Sequence, residues 1–326
     1  IINYQLSIRP ECKNLSFFCL DKNVPLAFVP LGITDSSNIK KISLGNDPCQ
    51  LPIINNDMHS DLKKKVLDEI YKKIYLILKE NDVDYADFFY HPVFVQNLNL
   101  KTLMHITYQD SFSILKYFNM KVVTNNTNII DLAKDRKVLE MNLQSRKRKE
   151  FKKTFYQKAK LVAVNKNNFS LSEIELYFDT YKKIHFEAAK RKTRTEDSWK
   201  NNLEMIKDGN STLFFLNIGG KLLSGLICLD FYQYSLAYSQ ATIKNNDYSK
   251  YSIRSFLEWK VINYYKDNKF KFYEIGTTYY YDQNHHNAND DKHKRIGELK
   301  TRFGANMFPR HYFRISKKFN SYFDNV

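Results

Sequence analysis

Phe214-Phe215-Leu216-Asn217-Ile218-Gly219-Gly220-Lys221-Leu222 reads as the turn of a β-hairpin: an apolar run, a Gly-Gly break, and a second apolar run reaching Leu229. Gly-Gly suits a two-residue turn because both central positions need positive φ. The same arrangement stands near the start of the chain. There Phe17-Phe18-Cys19-Leu20 is followed by a polar break at Asp21-Lys22-Asn23 and an apolar run from Leu26 to Leu31. In both halves a short strand, an amphipathic helix, a strand and a segment built around Leu-Lys and closing on Phe come next. The last echo pairs residues 114–118 with 298–303. Self-similarity in fixed order signals a duplicated unit, and ligands favour clefts between such copies. The competing reading is two unrelated α+β domains.

A chain of 326 residues, 43% hydrophobic, holds about two domains with a core in each. The net charge of +16 suits anionic partners: nucleic acid, phosphorylated cofactors or an acidic membrane face. The chain is also rich in Lys, Asn and Ile, so diffuse lysine accounts for much of that charge. Cys12, Cys19, Cys49 and Cys228 form no CxxC pair and read as reduced thiols of a cytoplasmic protein. No segment approaches the roughly 18 apolar residues of a membrane span. The best stretch, 213–231, is interrupted by Asn217, Lys221 and Asp230. The first residues lack a basic region followed by an apolar core, so no signal peptide is expected.

Hydrophobic spacing predicts helices over 62–79, 138–158, 172–188, 195–207, 252–264 and 296–303, with a short one at 110–118. Ser172 with Glu175 has capping-box spacing. Strands are expected at 85–90, 120–124, 161–164, 236–243, 270–275 and 311–315. Alternating strands and helices, with hairpins, predict an α/β (α+β) fold with a mixed sheet.

The densest positive run is Ser145-Arg146-Lys147-Arg148-Lys149-Glu150-Phe151-Lys152-Lys153. On one long helix, Arg146 and Lys149 or Lys153 share a face and could grip phosphate oxygens. With Asn128-Ile129-Ile130-Asp131-Leu132 before it, this run resembles the "DL … RRxIRKA" signature of FemAB-like acyltransferases, including the CelD-like acetyltransferases of the GNAT superfamily. The resemblance continues through residues 230–243, 251–265 and Phe272-Tyr273-Glu274-Ile275-Gly276. It closes on Glu298-Leu299-Lys300-Thr301-Arg302-Phe303-Gly304, similar to "FKxxFG". It implies two tandem GNAT-like domains, divided here as 1–158 and 159–326, with the acyl donor on the second. It also implies transfer of an acyl or aminoacyl group to an amine or hydroxyl, often on a cell-envelope glycan.

Such a transfer needs a base and a group that stabilises the carbonyl oxyanion. Glu274, near the end of a strand, is the candidate base. Lys300, the lysine of the closing motif, is the candidate partner of the carbonyl or of an acceptor phosphate. Ser252, Arg254 and Ser255 open a helix whose amides, with Lys250, could receive a donor pyrophosphate. The glycine-rich turn of ordinary acetyltransferases is missing from residues 245–250. That counts against a close backbone cradle for coenzyme A and in favour of a carrier protein or an aminoacyl-tRNA. The expected donor is acyl-CoA or an acyl carrier protein, with aminoacyl-tRNA acting on a peptidoglycan precursor as the alternative. Arg146, Arg148, Lys149, His185, Arg191 and Arg194 are candidates for an anionic acceptor, a small molecule or a glycan or nucleotide-sugar precursor. His285, His286 and His293, with Asp282, Asp290 and Asp291, crowd one loop without zinc spacing, so no metal is expected. The remaining alternative is a nucleic-acid-binding protein without enzymatic activity. No RNA-recognition, KH or helix-turn-helix signature is present.

Overall fold

The computed structural model describes residues 11–36, 39–44, 48–55, 57–89, 113–243, 248, 251–278 and 291–316. In chain order the strands are β1 (Cys12–Asn14), β2 (Phe17–Asp21), β3 (Val24–Val29), β4 (Gly32–Ser36), β5 (Ile39–Ile42), β6 (Cys49–Gln50), β7 (Ile53–Ile54), β8 (Tyr85–Phe89), β9 (Lys121–Asp131), β10 (Lys160–Val164), β11 (Ser211–Ile218), β12 (Lys221–Phe231), β13 (Tyr234–Thr242), β14 (Phe272–Thr278) and β15 (Asn306–Ser316). The helices are α1 (Ser60–Glu80), α2 (Arg136–Asn142), α3 (Ser145–Phe151), α4 (Thr154–Gln157), α5 (Leu171–Ala189), α6 (Glu196–Lys207), α7 (Ile253–Asp267) and α8 (Asp291–Thr301). The α/β, mixed-sheet expectation is met.

The chain divides into two compact units, 1–125 with 309–326, and 126–308. The boundaries fall inside β9 and β15, not at residue 158. Residues 126–158 pack with the second unit because Ile130, Leu132, Leu139, Leu143 and Tyr156 are buried in its core.

In the first unit β4 and β5 are antiparallel, β5 and β8 parallel, and β8 and β15 antiparallel. The chain between β5 and β8 carries α1, whose Val66, Ile70, Tyr71 and Ile74 are buried with Ile42, Phe88 and Phe313. In the second unit β12 and β13 are antiparallel, β13 and β14 parallel, and β14 and β9 antiparallel. There α7 joins the parallel pair. The order of pairing senses is the same in both units, and in both the last strand arrives from elsewhere in the chain.

This repeat corrects the hairpin comparison. The counterpart of β12–β13 is β4–β5, whereas β2–β3 belongs to a separate small sheet with β7. The two apolar hairpins looked alike because both use two-residue turns with left-handed backbone, Lys22-Asn23 (φ 46 and 71) and Gly219-Gly220 (φ 59 and 81). Turn chemistry does not say which sheet a hairpin joins.

The second unit buries its sheet on both faces. Phe214 and Leu216 of β11 face α7, while Leu213 and Phe215 face α5 and α6. That explains the unbroken apolar run, since a strand covered on both sides has no polar face to alternate. Each fully buried Phe contributes about 1.5–3 kcal/mol. Gly225 admits the ring of Tyr181, which would stand 2.5 Å from any added Cβ. The Tyr181 hydroxyl then reaches the Ser239 carbonyl at 2.9 Å. The capping box that starts α5 is Ser170 with Glu173, two residues earlier than expected.

The expected basic helix over 138–158 is three short ones. Leu143 and Lys153 sit in extended backbone and break it. The breaks let Leu139, Leu143 and Tyr156 enter one core, which a straight helix could not do. Lys153 is therefore not on the same helix as Arg146.

Within the basic run Lys147 turns inward and is only 6% exposed. Its Nζ donates to Glu150 Oε2 at 3.1 Å and to Ser252 Oγ at 2.5 Å. The Ser252 amide donates to Glu150 Oε1 at 3.1 Å and to the Tyr156 hydroxyl at 2.8 Å. This clamp fastens α3 to the first turn of α7. Burial pushes the Glu150 carboxyl up. The hydrogen bonds from Ser252, Tyr156 and Lys147, with the Lys147 charge, more than offset that and bring it from 4.5 to about 2.

A depressed carboxyl stabilises the fold above its unfolded value and loses that contribution as pH falls through its folded value. Urea unfolding of the wild type should therefore show an acid-labile contribution lost between about pH 4.5 and pH 2, absent in Glu150→Gln. Lys147→Met should cost about 3–5 kcal/mol, because Glu150 is left charged beside an apolar group. A cost below about 1 kcal/mol would mean that the clamp does not hold α7.

Candidate functional site

The site begins where a sheet comes apart. β13 and β14 pair only over Tyr234–Leu236 and Phe272–Glu274. Beyond Glu274, β14 also shifts register against β9: Glu274 faces Ile129 and Gly276 faces Asn128, so Ile275 is an extra residue. Such a bulge bends a strand and re-aims its neighbours. Gly276 takes φ +103, and a Cβ there would stand 3.0 Å from Lys300 Nζ.

The opening holds a cavity of about 140 Å³. Tyr238, Ser239 and Gln240 come from β13, Arg254, Ser255 and Glu258 from the first turns of α7, and Leu299 and Lys300 from α8. The spacing of residues 254, 255 and 258 puts them on one helix face. Arg254 Nε donates to Gln240 Oε1 at 2.7 Å, and Gln240 Nε2 returns a bond to the Arg254 carbonyl at 3.0 Å. Lys300 Nζ donates to the Thr277 carbonyl at 2.8 Å, which ties α8 to β14. Arg194 donates to Ser239 Oγ at 2.8 Å, with its guanidinium 5.2 Å from the Trp199 ring centre and 5.6 Å from that of Tyr238.

Glu258 is the buried carboxyl of this cavity, 5% exposed. It accepts the Tyr273 hydroxyl at 2.5 Å. Desolvation raises its pKa; the Tyr273 bond and the charges of Arg254 and Lys300 oppose that without cancelling it. A buried carboxyl whose pKa is raised, set beside cations, is the kind of group that serves in proton exchange. Cys228 lies 3.9 Å from the Tyr273 hydroxyl, and burial raises its thiol well above the ordinary value. It is a core residue, not a thiolate nucleophile. All four cysteines are free thiols.

Arg254, Ser255 and Lys300 thus meet in one cavity, and Arg194 reaches its wall. Ser252 does not line it, since its hydroxyl and amide serve the clamp, and the Glu150 carboxylate already lies on its amide. A pyrophosphate therefore finds an anion where Ser252 was expected to receive it. Glu274 stands elsewhere: it is 0% exposed and accepts hydrogen bonds from Thr127 and Tyr234. Strand alternation puts its neighbours Tyr273 and Ile275 on the α7 side and Glu274 on the other. Arg146 and Lys149 are exposed on α3, and Arg148 donates to the Met141 carbonyl at 2.8 Å at the end of α2. His185 is half-buried against Trp199, with burial and Arg194 lowering its pKa, and Arg191 is exposed. Lys250, His285, His286, Asp282 and Asp290 lie outside the described residues.

Sequence reasoning missed Glu258 and Lys147. Each left a signal. Glu258 interrupts the inward stripe of Ile253, Phe256, Leu257 and Val261. Lys147 stands four residues before Phe151, on the face that the core takes. Among the described residues there is no group of three or more His, Cys, Asp or Glu able to hold a metal, and no helix long and apolar enough to cross a membrane.

No protein-family model matches the chain, and neither does any curated protein. Solved structures do. FemX superposes with a TM-score of 0.61 at 10% identity, over 94% of this chain and 90% of that one. The C-terminal domain of a putative lysylphosphatidylglycerol synthetase from Agrobacterium fabrum gives 0.58 at 12% identity, over 95% and 86%. L-PGS from Bacillus licheniformis gives 0.51 at 11%, over 92% and 83%. The chain therefore has the fold of FemX and of this synthetase domain.

Gly276→Ala tests the geometry of the bulge. An L residue at φ +103 is strained, and its methyl meets Lys300 Nζ. The variant should lose about 1–3 kcal/mol of stability in denaturant titration. Unchanged stability would show that the bulge tolerates a side chain.

Proposed function

We propose that this protein is an acyltransferase, working in the cytoplasm, whose reaction takes place in the cavity between β13, α7 and α8. An amine or hydroxyl of a cell-surface glycan or nucleotide-sugar precursor attacks the carbonyl carbon of an activated donor. Glu258 takes the proton that the nucleophile loses, and the thiol or hydroxyl of the donor leaves. The Lys300 ammonium lies on the side where the oxyanion develops. Arg254 and Gln240 hold the donor. The observation that carries this reading is Glu258, a buried carboxyl with a raised pKa, facing two cations in an opened sheet. It takes the role first expected of Glu274, whose hydrogen bonds to Thr127 and Tyr234 make it a strut between strands.

The donor reading follows from the clamp. With Glu150 on the Ser252 amide, that helix terminus does not favour a nucleotide pyrophosphate. A thioester on an acyl carrier protein brings its acyl arm without one at this position, and is preferred here to acyl-CoA. A second reading, aminoacyl-tRNA with a peptidoglycan precursor as acceptor, is supported by the same feature and by the net charge of +16. The lack of glycine in residues 245–250 suits an ester donor held mainly through its acyl group.

Glu258→Gln should keep the shape and lose the base, lowering kcat by roughly 10²–10⁴. The rate of the wild type should rise with pH through a raised carboxylate pKa, and the variant should lack that limb. Lys300→Met should lower kcat with donor KM little changed. Arg254→Ala should raise donor KM. The assay is a transfer measurement against a panel of acyl-carrier-protein, coenzyme A and charged-tRNA donors. Wild-type turnover in Glu258→Gln would remove the cavity from the mechanism.

A further inference from the structure

At the other end of the second unit's sheet lies a larger cavity, about 570 Å³, that acyl transfer does not use. Its size falls within the roughly 300–1,000 Å³ typical of small-molecule sites. The connections after β10, after α6, after β12 and after α7 converge on it. We propose that this cavity is a second binding site, and that it takes an uncharged oligosaccharide segment.

Uncommitted polar groups are the first argument. The side-chain amides of Asn167 and Asn210 line the cavity and make no hydrogen bond to any described residue. Asn268 uses only its Nδ2, on the Tyr264 carbonyl at 2.8 Å. An amide offers donors and an acceptor together, which is what a hydroxyl-rich ligand requires. Asp230 adds a carboxyl fixed in direction by Thr212 Oγ1 at 2.7 Å and by the Tyr265 hydroxyl at 2.7 Å. Desolvation raises it, those bonds oppose, and it comes to about 6.

An aromatic platform is the second. Tyr232 is 87% exposed, although its backbone is left-handed at φ +51. The two-residue turn between β12 and β13 asks for positive φ there, which Gly or Asn would supply with less strain, so the hairpin accounts for the backbone but not for the ring. Its turn is nonetheless held firmly: the Gln233 carbonyl accepts from the Lys271 amide at 2.7 Å and the Phe272 amide at 3.1 Å. An exposed ring carried on a held turn can cover the C–H face of a sugar.

Charge is the third. Lys166 is the sole cation among the described lining residues, and its Nζ is held by the Asp208 carbonyl at 2.6 Å. Gly209, at φ +80, leaves the room that the lysine stem needs. One tethered cation facing one carboxyl gives no surplus for phosphates, which argues against a nucleotide.

The test is equilibrium binding of maltotetraose, chitotetraose and AMP to the full chain, followed by calorimetry and by the side-chain amide signals in NMR. Binding is read without any transfer reaction, so its failure is separate from failure of the acyltransferase reading. We expect one tetrasaccharide to bind and to shift the Asn167 and Asn210 amide signals. Tyr232→Gly, which also relieves the backbone, and Asn210→Ala should each weaken it by about tenfold or more. Both positions are exposed, so the variants should fold, and matched far-ultraviolet dichroism checks that. The proposal is overturned if neither tetrasaccharide binds at 10 mM, a concentration of about the weakest useful affinity. It is overturned equally if binding is unchanged in both variants, or if AMP displaces the sugar from these amides.

Discussion

After Leu236 and Glu274 the strands β13 and β14 stop sharing hydrogen bonds, and the cavity between β13, α7 and α8 depends on that parting. A parallel pair that continued would have closed the sheet and filled the space with ladder contacts. Instead the bulge at Ile275 and the left-handed Gly276 turn β14 away, and the first turns of α7 and the end of α8 face the gap. Arg254, Glu258 and Lys300 come from two helices that the bulge brings to one place. Their mutual influence is electrostatic and acts in a partly dry setting, where charges matter more than in water.

Holding α7 in that position is the task of the Lys147–Glu150–Ser252 cluster. A helix terminus leaves several amides without intrahelical partners. Here an internal carboxylate takes the amide of Ser252, and a buried lysine neutralises the carboxylate. The arrangement stabilises the start of α7 and, in doing so, occupies a place that a ligand phosphate could have taken. One local solution to a capping problem thus closes a helix terminus to other anions.

The element order was largely legible in the sequence, because apolar periodicity and turn residues report on each segment by itself. The Gly219-Gly220 turn, the α7 stripe and the Leu-Lys segment before β15 could all be read this way. Partner strands could not. The hairpin at 17–29 carried the right turn chemistry and joined another sheet, since pairing is decided by what lies beside a strand in space. The 138–158 run looked like one helix because its basic residues mask the apolar positions at Leu143 and Phe155 that fold it back. Glu274 and Glu258 show the same limit in the site. A strand carboxylate has two possible faces, and alternation alone does not choose between them, whereas a carboxylate on a helix stripe is assigned to the core by position.

Each unit finishes its sheet with a strand drawn from the other end of the repeat: β9 follows the first unit's elements and pairs with β14, and β15 follows α8 and pairs with β8. Asp87 and Arg314, a bidentate pair 227 residues apart in sequence, close the second of these joins. During synthesis the amino-terminal unit therefore waits for the last strand while the ribosome makes the whole of the other unit. Its β8 edge is exposed for that interval, and an unpaired edge is a template for wrong partners. At about 5–20 residues per second, the delay is on the order of ten seconds or more. Contacts of such long range also make for slow folding. The crossing strands make the two units one folding problem, with the amino-terminal half dependent on its carboxy-terminal neighbour for completion.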